Sequence, residues 1–411
     1  MTRRCWLRAA LALPVGSAWL AHFRAMAAPA EKLVKITAIK ALQLDNVGDG
    51  CLIRIETDAG LTGLGEAGVS AKMARARIEL MGRQLLGADP MAIERLFYLM
   101  TAPQNPFVPQ IPLVSGIDIA LWDLAGKILG QPVYRLLGGP MRKAVPVYSH
   151  GRVRNMLDIA ECRDWAQKAK AGPEGFKTYK FNVGVGERQA GEPWPPTLDR
   201  SDLVKVAKSY ANLREAGGAD MDIAMHCTGQ FDLPSAVGLC KAIEPMDPAW
   251  IEDPLNFTYS EGWRVLRRST RVPILTGEKT EMTSGFRPYL DDGVVDIIHP
   301  DPAYAGGITG CRKIADYAAL SRTPVALHIG PASLIRFHAG AHIAAAVQNF
   351  FKMENLVGEF RGFKEKMAAA GTEPRIRDGL MALPEGPGLG LTIDEDWLKQ
   401  HAANKGEPMW L

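Results

Sequence analysis

The sequence offers little that would suit nucleic acid, a disulfide framework or a bundle of membrane spans. Its net charge is only +3 over 411 residues, and no Lys/Arg run stands out, so charge patterning gives nucleic-acid binding no support. The cysteines, Cys5, Cys51, Cys162, Cys227, Cys240 and Cys311, contain no Cys-x-x-Cys pair. Their spacing suggests neither a zinc knuckle nor a disulfide set, and they read as scattered buried thiols. Past Leu20 no run is apolar enough to cross ~30 Å of hydrocarbon. What is present, 47% hydrophobic and 23% charged residues, is ordinary globular composition. The length fits one α/β barrel with a smaller accessory domain.

The N-terminus carries an address. Thr2-Arg3-Arg4-Cys5-Trp6-Leu7-Arg8 precedes the apolar run Ala9 to Leu20 and the small residues Ala25-Met26-Ala27-Ala28. A charged start, a short apolar core and an A-x-A-like end describe a cleaved export signal rather than a span. The paired arginines resemble the twin-arginine signal, whose pathway carries folded proteins. Residues 1–28 are therefore expected to be removed, leaving a periplasmic or otherwise exported protein with no membrane attachment. An uncleaved anchor is the alternative, since His22 and Arg24 interrupt the pattern.

Val34 to Asn46, Cys51 to Asp58 and Leu61 to Gly65 read as strands, followed by helical patterns at Ala71 to Leu86, Met91 to Met100 and Gly116 to Leu129. This predicts an α+β capping domain over 33–140, ending near Gly138-Gly139-Pro140. From 141 to 382 short β-rich runs alternate with amphipathic stretches, as a parallel barrel requires. The strand candidates are Val145–Tyr148, Thr178–Phe181, Ile223–His226, Trp250–Glu252, Ile274–Thr276, Val295–His299, Val325–His328 and Phe350–Met353. Eight strands close a (β/α)8-type TIM barrel. The segment 383–411 leaves the repeat through Pro384-Glu385-Gly386-Pro387-Gly388-Leu389-Gly390 and is expected to return to the cap.

A polar or ionisable residue stands at the C-terminal end of nearly every candidate strand: Lys180, His226, Glu252, Glu278, Asp301, His328 and Glu354. From His226 onward they recur every 23 to 27 residues, one strand, one helix and two loops. They should converge at the mouth where barrel enzymes place their chemistry. The longer gap before His226 holds Gly184 to Arg200, a Gly/Pro-rich insertion projecting over the same face. Glu252 and Glu278, with a ligand from the preceding strand, make an oxygen-rich site for a divalent cation, which also explains two carboxylates held close together. Asp301 beside His328 fixes the imidazole tautomer and makes a general base. Lys180 and Asn182, two apart on one strand, face the same way. A metal, a base and a cationic partner suit removal of the proton next to a carboxylate, with the enediolate oxygens stabilised by the metal and Lys180.

These motifs resemble the enolase superfamily, in its mandelate racemase/muconate lactonizing branch, and are most similar to galactonate-dehydratase-like acid-sugar dehydratases. The matching runs are Gly175-Phe176-Lys177-Thr178-Tyr179-Lys180-Phe181-Asn182, Trp250-Ile251-Glu252-Asp253-Pro254 and Thr276-Gly277-Glu278. They continue with Pro300-Asp301, Ala305-Gly306-Gly307-Ile308-Thr309 and Ala326-Leu327-His328. The resemblance implies a Mg²⁺-dependent barrel with an Asp–His dyad, and a cap loop near Asn46 to Gly50 closing over substrate. The general mechanism with a Lys or His base and Mg²⁺ is well established for enolase-type sites.

Three positions depart from the pattern. The family's first metal ligand is usually aspartate, but His226 stands there; imidazole weakens a Mg²⁺ site and favours Mn²⁺, Fe²⁺ or Zn²⁺. Racemases carry a second lysine where this chain has Asn182, which removes one base of a two-base racemisation. Galactonate dehydratases place a histidine acid where this chain has Thr228, so departure of a β-hydroxyl needs His328 again or another group. Glu354 is expected to assist charge stabilisation, and Asn46, His150, Asn182 and Thr228 to contact substrate. His299 reads as core or support, and His338 and His342 as helix packing. The expected function is a metal-dependent acid-sugar dehydratase acting on a small-molecule sugar acid, assembled as a homo-oligomer. An epimerase, racemase or cycloisomerase of the same superfamily is the first alternative, and an exported barrel that binds ligand without turnover the second.

Overall fold

A computed structural model describes residues 34–45, 50–102, 110–183, 196–330, 332–355, 366–403 and 409–410. The expected export signal, Asn46, and most of the insertion between Gly184 and Arg200 lie outside the described residues.

The cap begins with a three-stranded antiparallel sheet, β1 (Ile36–Gln43), β2 (Cys51–Thr57) and β3 (Thr62–Ala67), in that order. Helices α1 (Ala71–Leu85), α2 (Ile93–Thr101) and α3 (Ile111–Leu129) follow. Ser70 caps α1, its hydroxyl accepting from Met73 N–H, which satisfies one of the unpaired donors of the first turn. Helix α3 starts five residues before the Gly116 expected from periodicity, because Pro112 occupies its first turn, where a missing N–H costs nothing. Its small residues let β3 lie directly on it: a Cβ on Gly65 would collide with the Gly116 carbonyl.

After the short α4 (Val133–Leu136) comes a parallel barrel. Its strands are β4 (Ala144–His150), β5 (Thr178–Asn182), β6 (Asp222–His226), β7 (Ile251–Glu252), β8 (Ile274–Thr276), β9 (Ile297–Ile298), β10 (Val325–Leu327) and β11 (Phe350–Glu354). Pairing of Met353 with Val147 and Glu354 with Tyr148 closes the ring. Between successive strands run α5 (Ile159–Lys170), α6 (Arg200–Gly217), α7 (Leu233–Ile243), α8 (Glu261–Ser269), α9 (Met282–Asp291), α10 (Gly307–Leu320) and α11 (Leu334–Ala346). Asp199, Asp232 and Ser333 cap the N-termini of α6, α7 and α11. A hairpin, β12 (Ile376–Arg377) and β13 (Leu380–Ala382), adds antiparallel to the outer part of β4.

The barrel interior is filled below its mouth by Tyr148, Ala224, Trp250, Leu275, Ile297 and Ala326. The Tyr148 and Trp250 rings meet edge to face at 5.2 Å. This plug gives the polar residues above it a dry floor. The chain's tail packs on the cap: Leu389 N–H donates to Asp123, Ala403 N–H donates to the Gln43 carbonyl, and Asp45 N–H donates to the His401 carbonyl. Helix α12 (Glu395–His401) lies in this tail.

Candidate active site

Parallel register decides which strand-end residues become neighbours. His150 pairs with Lys180, Asn182 with His226, and His226 with Glu252. Both β4 and β5 run past the limits expected from sequence, so His150 and Asn182 are themselves the last residues of their strands. Gly277, at φ 134°, turns the chain sharply after β8 and leaves no room for a Cβ against the Phe286 ring, which sets Glu278 at the mouth.

Lys180 Nζ lies 2.6 Å from Glu252 Oε1 and 2.8 Å from Glu354 Oε1, with all three side chains buried. Burial would lower the Lys180 pKa, but Glu252, Glu354 and Glu278 outweigh it and raise it far above the usual lysine range. Burial pushes the Glu252 carboxyl up, yet Lys180, His299 and His226 hold it down to about 2. Its second oxygen accepts from Trp250 Nε1–H at 3.0 Å. Beneath it, His299 meets the Tyr148 hydroxyl at 3.0 Å; burial lowers its pKa to about 4, which keeps it neutral.

His226, Glu252, Asp253 and Glu278 form one group in which a ligand atom from each lies within 4.8 Å of the others. His226 Nε2 is 3.5 Å from Glu278 Oε2 and 3.7 Å from Glu252 Oε1. Its Nδ1 is 3.3 Å from Asn182 Oδ1, which fixes Nδ1–H there and turns the Nε2 lone pair toward the carboxylates. Both His226 Nε2 and Asp253 Oδ2 are buried without a hydrogen-bond partner. Leaving such atoms unsatisfied is costly, and one nitrogen with three carboxylate oxygens is a donor set that fits a divalent cation. Asp253 is the member that sequence reasoning missed. Its carboxyl is pushed well above the ordinary range by burial and by the like charges of Glu278 and Glu252, the electrostatic mark of a site short of positive charge.

Across the cluster, His328 Nδ1 donates to Asp301 Oδ2 at 2.6 Å. Its Nε2 faces Glu278 Oε2 at 3.2 Å and Glu354 Oε2 at 3.5 Å. Burial would lower the imidazole pKa; Glu354, Glu278 and Asp301 raise it instead, to about 9. Asp301 also takes Arg336 Nη1 at 3.1 and 3.2 Å. Arg336 Nε lies 3.4 Å from Glu66 Oε1 of the cap, and Ser333 N–H donates to the other Glu66 oxygen at 2.9 Å.

The structure thus brings together Lys180, His226, Glu252, Glu278, Asp301, His328 and Glu354. His150 joins them through a contact between its Nε2 and Glu354 Oε1. Asn182 is exposed at the rim, and Thr228, at φ 57°, gives its hydroxyl proton to the Cys227 carbonyl at 2.7 Å. His338 and His342 lie elsewhere, meeting the Leu389 carbonyl and Tyr134 N–H. Trp250, Arg336 and Glu66 also escaped sequence reasoning. Trp250 shares the face of Glu252 by strand alternation, and Arg336 is a lone charge in the apolar run Leu334 to Ala346, so both left a signal.

Comparison with known proteins matches the description "Enolase C-terminal domain-like" over residues 161–397. It matches "Mandelate racemase / muconate lactonizing enzyme, N-terminal domain" over residues 37–138. The chain belongs to the mandelate racemase/muconate lactonizing enzyme family of the enolase superfamily. Among its relatives is the D-xylonate dehydratase of Haloferax volcanii, 32% identical over 380 residues, covering 92% of this chain and 90% of that one. The D-galactonate dehydratase of Xanthomonas campestris pv. campestris is 31% identical over 370 residues, covering 87% and 92%. The crystal structure of a mandelate racemase/muconate lactonizing enzyme-like protein from Rubrobacter xylanophilus superposes with a TM-score of 0.82 at 30% identity, covering 92% of this chain and 100% of that one. The barrel-and-cap architecture of this family member follows that kinship. His226, Asn182 and Thr228 are the departures noted from sequence.

Proposed function

We propose that this enzyme is an acid-sugar dehydratase. It removes the proton α to a carboxylate and expels the β-hydroxyl as water through an enediolate intermediate. The observation that carries the reading is the Asp301–His328 pair aimed by Nε2 at the same carboxylate cluster that leaves His226 Nε2 and Asp253 Oδ2 unsatisfied. The dehydratase names of relatives at about 30% identity, which the chain matches over nearly their whole length, support the lyase class.

His226, Glu252 and Glu278, with Asp253 beside them, would hold a divalent cation. When bound it supplies Lewis-acid polarisation of the substrate carboxylate. Lys180 adds a fixed positive charge, kept in place by Glu252 and Glu354, that favours charge building up on the carboxylate oxygens. Asp301 holds Nδ1–H of His328, so Nε2 is the atom that takes the α-proton once the imidazole has released the proton that its carboxylate neighbours favour. With Asn182 in place of a second lysine, no equivalent base serves the opposite face from β5, and this favours elimination over two-base racemisation.

A screen of sugar acids in D2O, followed by NMR, tests the proposal. Dehydration yields a 2-keto-3-deoxy acid, whereas isomerisation keeps the mass apart from deuterium. His328→Asn removes the base and should abolish both keto-acid formation and exchange of the α-proton, a loss of roughly 10²–10⁴-fold or more. Retained exchange in that variant would refute the role given to His328.

A further inference from the structure

Expelling a β-hydroxyl needs a proton donor, and the position where galactonate dehydratases carry a histidine holds Thr228, whose hydroxyl proton is already given to the Cys227 carbonyl. Other polar groups at the mouth are committed. Lys180 is enclosed by Glu252 and Glu354, His226 turns Nε2 into the carboxylate group, and His299 lies fully buried on the floor against Tyr148. Lys279 Nζ is paired with Glu278 Oε1 at 3.7 Å and lies 5.0 Å from the centre of the Phe257 ring.

His150 differs from all of these. It ends β4 directly beside Lys180 in the strand register, and its side chain is 35% exposed where those of His328 and His226 are 13% and 10%. It therefore stands at the rim, within reach of a bound ligand, rather than in the floor. Its Nε2 contacts Glu354 Oε1, while Glu354 Oε2 faces His328 Nε2 at 3.5 Å and accepts Ile329 N–H at 3.0 Å. One carboxylate thus separates two imidazoles, each with its own acidic partner. A ring held through Nε2 by a carboxylate can carry a second proton as a paired charge and has Nδ1 left for substrate.

We infer that His150 is the general acid that protonates the departing β-hydroxyl, an assignment that rests on the dehydratase reading above. In the first step His328 Nε2 takes the Cα proton, and the C–H pair enters the enediolate. In the second, that pair forms the Cα–Cβ double bond as the Cβ–O bond breaks, and the His150 proton goes to the leaving oxygen to give water. The enol then gains a proton at Cβ and loses its hydroxyl proton, becoming the 2-keto-3-deoxy acid. His328 returns its proton to solvent and His150 regains one, so water is the sole co-product.

The test uses the full enzyme with the sugar acid found in the screen, run in D2O with wild type, His150→Gln and His150→Asn. Both replacements sit at the rim, and melting temperature reports whether each folds. In the variants keto-acid formation should fall about 10²–10⁴-fold while recovered substrate gains deuterium at Cα, because the enediolate still forms but returns. Keto acid made at the wild-type rate, or exchange lost in step with elimination, overturns the assignment. Wild-type protein that neither exchanges nor dehydrates any sugar acid overturns the functional reading itself, and His150's role with it.

Discussion

Replacing Glu278 with Gln perturbs two predicted properties at once. Glu278 is a donor in the four-residue group and lies 3.2 Å from His328 Nε2. A cation present at 100 times its dissociation constant stabilises the folded state by about 2.7 kcal/mol. With an unfolding entropy of about 2.1 cal/mol/K per residue, a chain of 411 residues should melt about 3 °C higher with the cation than without. Wild type is expected to show this rise on titration with Mn²⁺ in a calorimeter, and Glu278→Gln to show none. In the metal-free protein the same variant removes an opposite charge in contact with His328, which lowers the imidazole pKa by about 1–3 units from its value of about 9. The sign follows from linkage. The folded-state value lies above the unfolded value of about 6.5, so the stability His328 contributes is fully present below about pH 6.5 and is lost as pH rises through about 9. Histidine NMR titration reads the shift directly. A variant that keeps the wild-type cation response, or a His328 that titrates unchanged, would refute the shared-pocket geometry.

Two further outcomes are expected. His226→Asp makes the donor set all oxygen, and metal analysis after competitive loading should show retention moving from Mn²⁺ or Zn²⁺ toward Mg²⁺; an unchanged preference removes His226 from the ligand set. Arg336→Met strips one partner from a buried ion pair with Asp301, a change that costs about 3–5 kcal/mol. At this chain length that is a fall in melting temperature of about 3–6 °C, and a fall below about 1 °C in a scanning calorimeter would show that Asp301 is compensated by other groups.

Much of the site was legible because barrel strands impose a beat. Residues 23 to 27 apart at strand ends must share a mouth, and His226, Glu252, Glu278, Asp301 and His328 do. Strand alternation likewise put Lys180 and Asn182 on one face. What sequence left obscure depends on contacts without a period. Asp253 follows Glu252 directly, where alternation would turn it away; a positive φ of 46° turns it back to the cluster. Arg336 and Glu66 are distant in sequence and meet only because the cap docks on the barrel. The limits of β4 and β5 were read short, since His150 and Asn182 are polar ends that period-2 patterning assigns to loops.

The cap takes part in mounting the base. The ligand group rests on neighbouring strands of a closed ring, so its spacing is set within the barrel. The base is mounted differently. His328 is oriented by Asp301, Asp301 is held by Arg336, and Arg336 leans on Glu66, which lies on cap strand β3 and also receives the N–H of Ser333 at the start of α11. The cap is therefore linked to the imidazole through one guanidinium and one carboxylate. Arg336 is fully enclosed between two carboxylates, and a buried charge stripped of one partner is strongly destabilising. Glu66 and Arg336 are thus the residues through which the cap meets the support of the base.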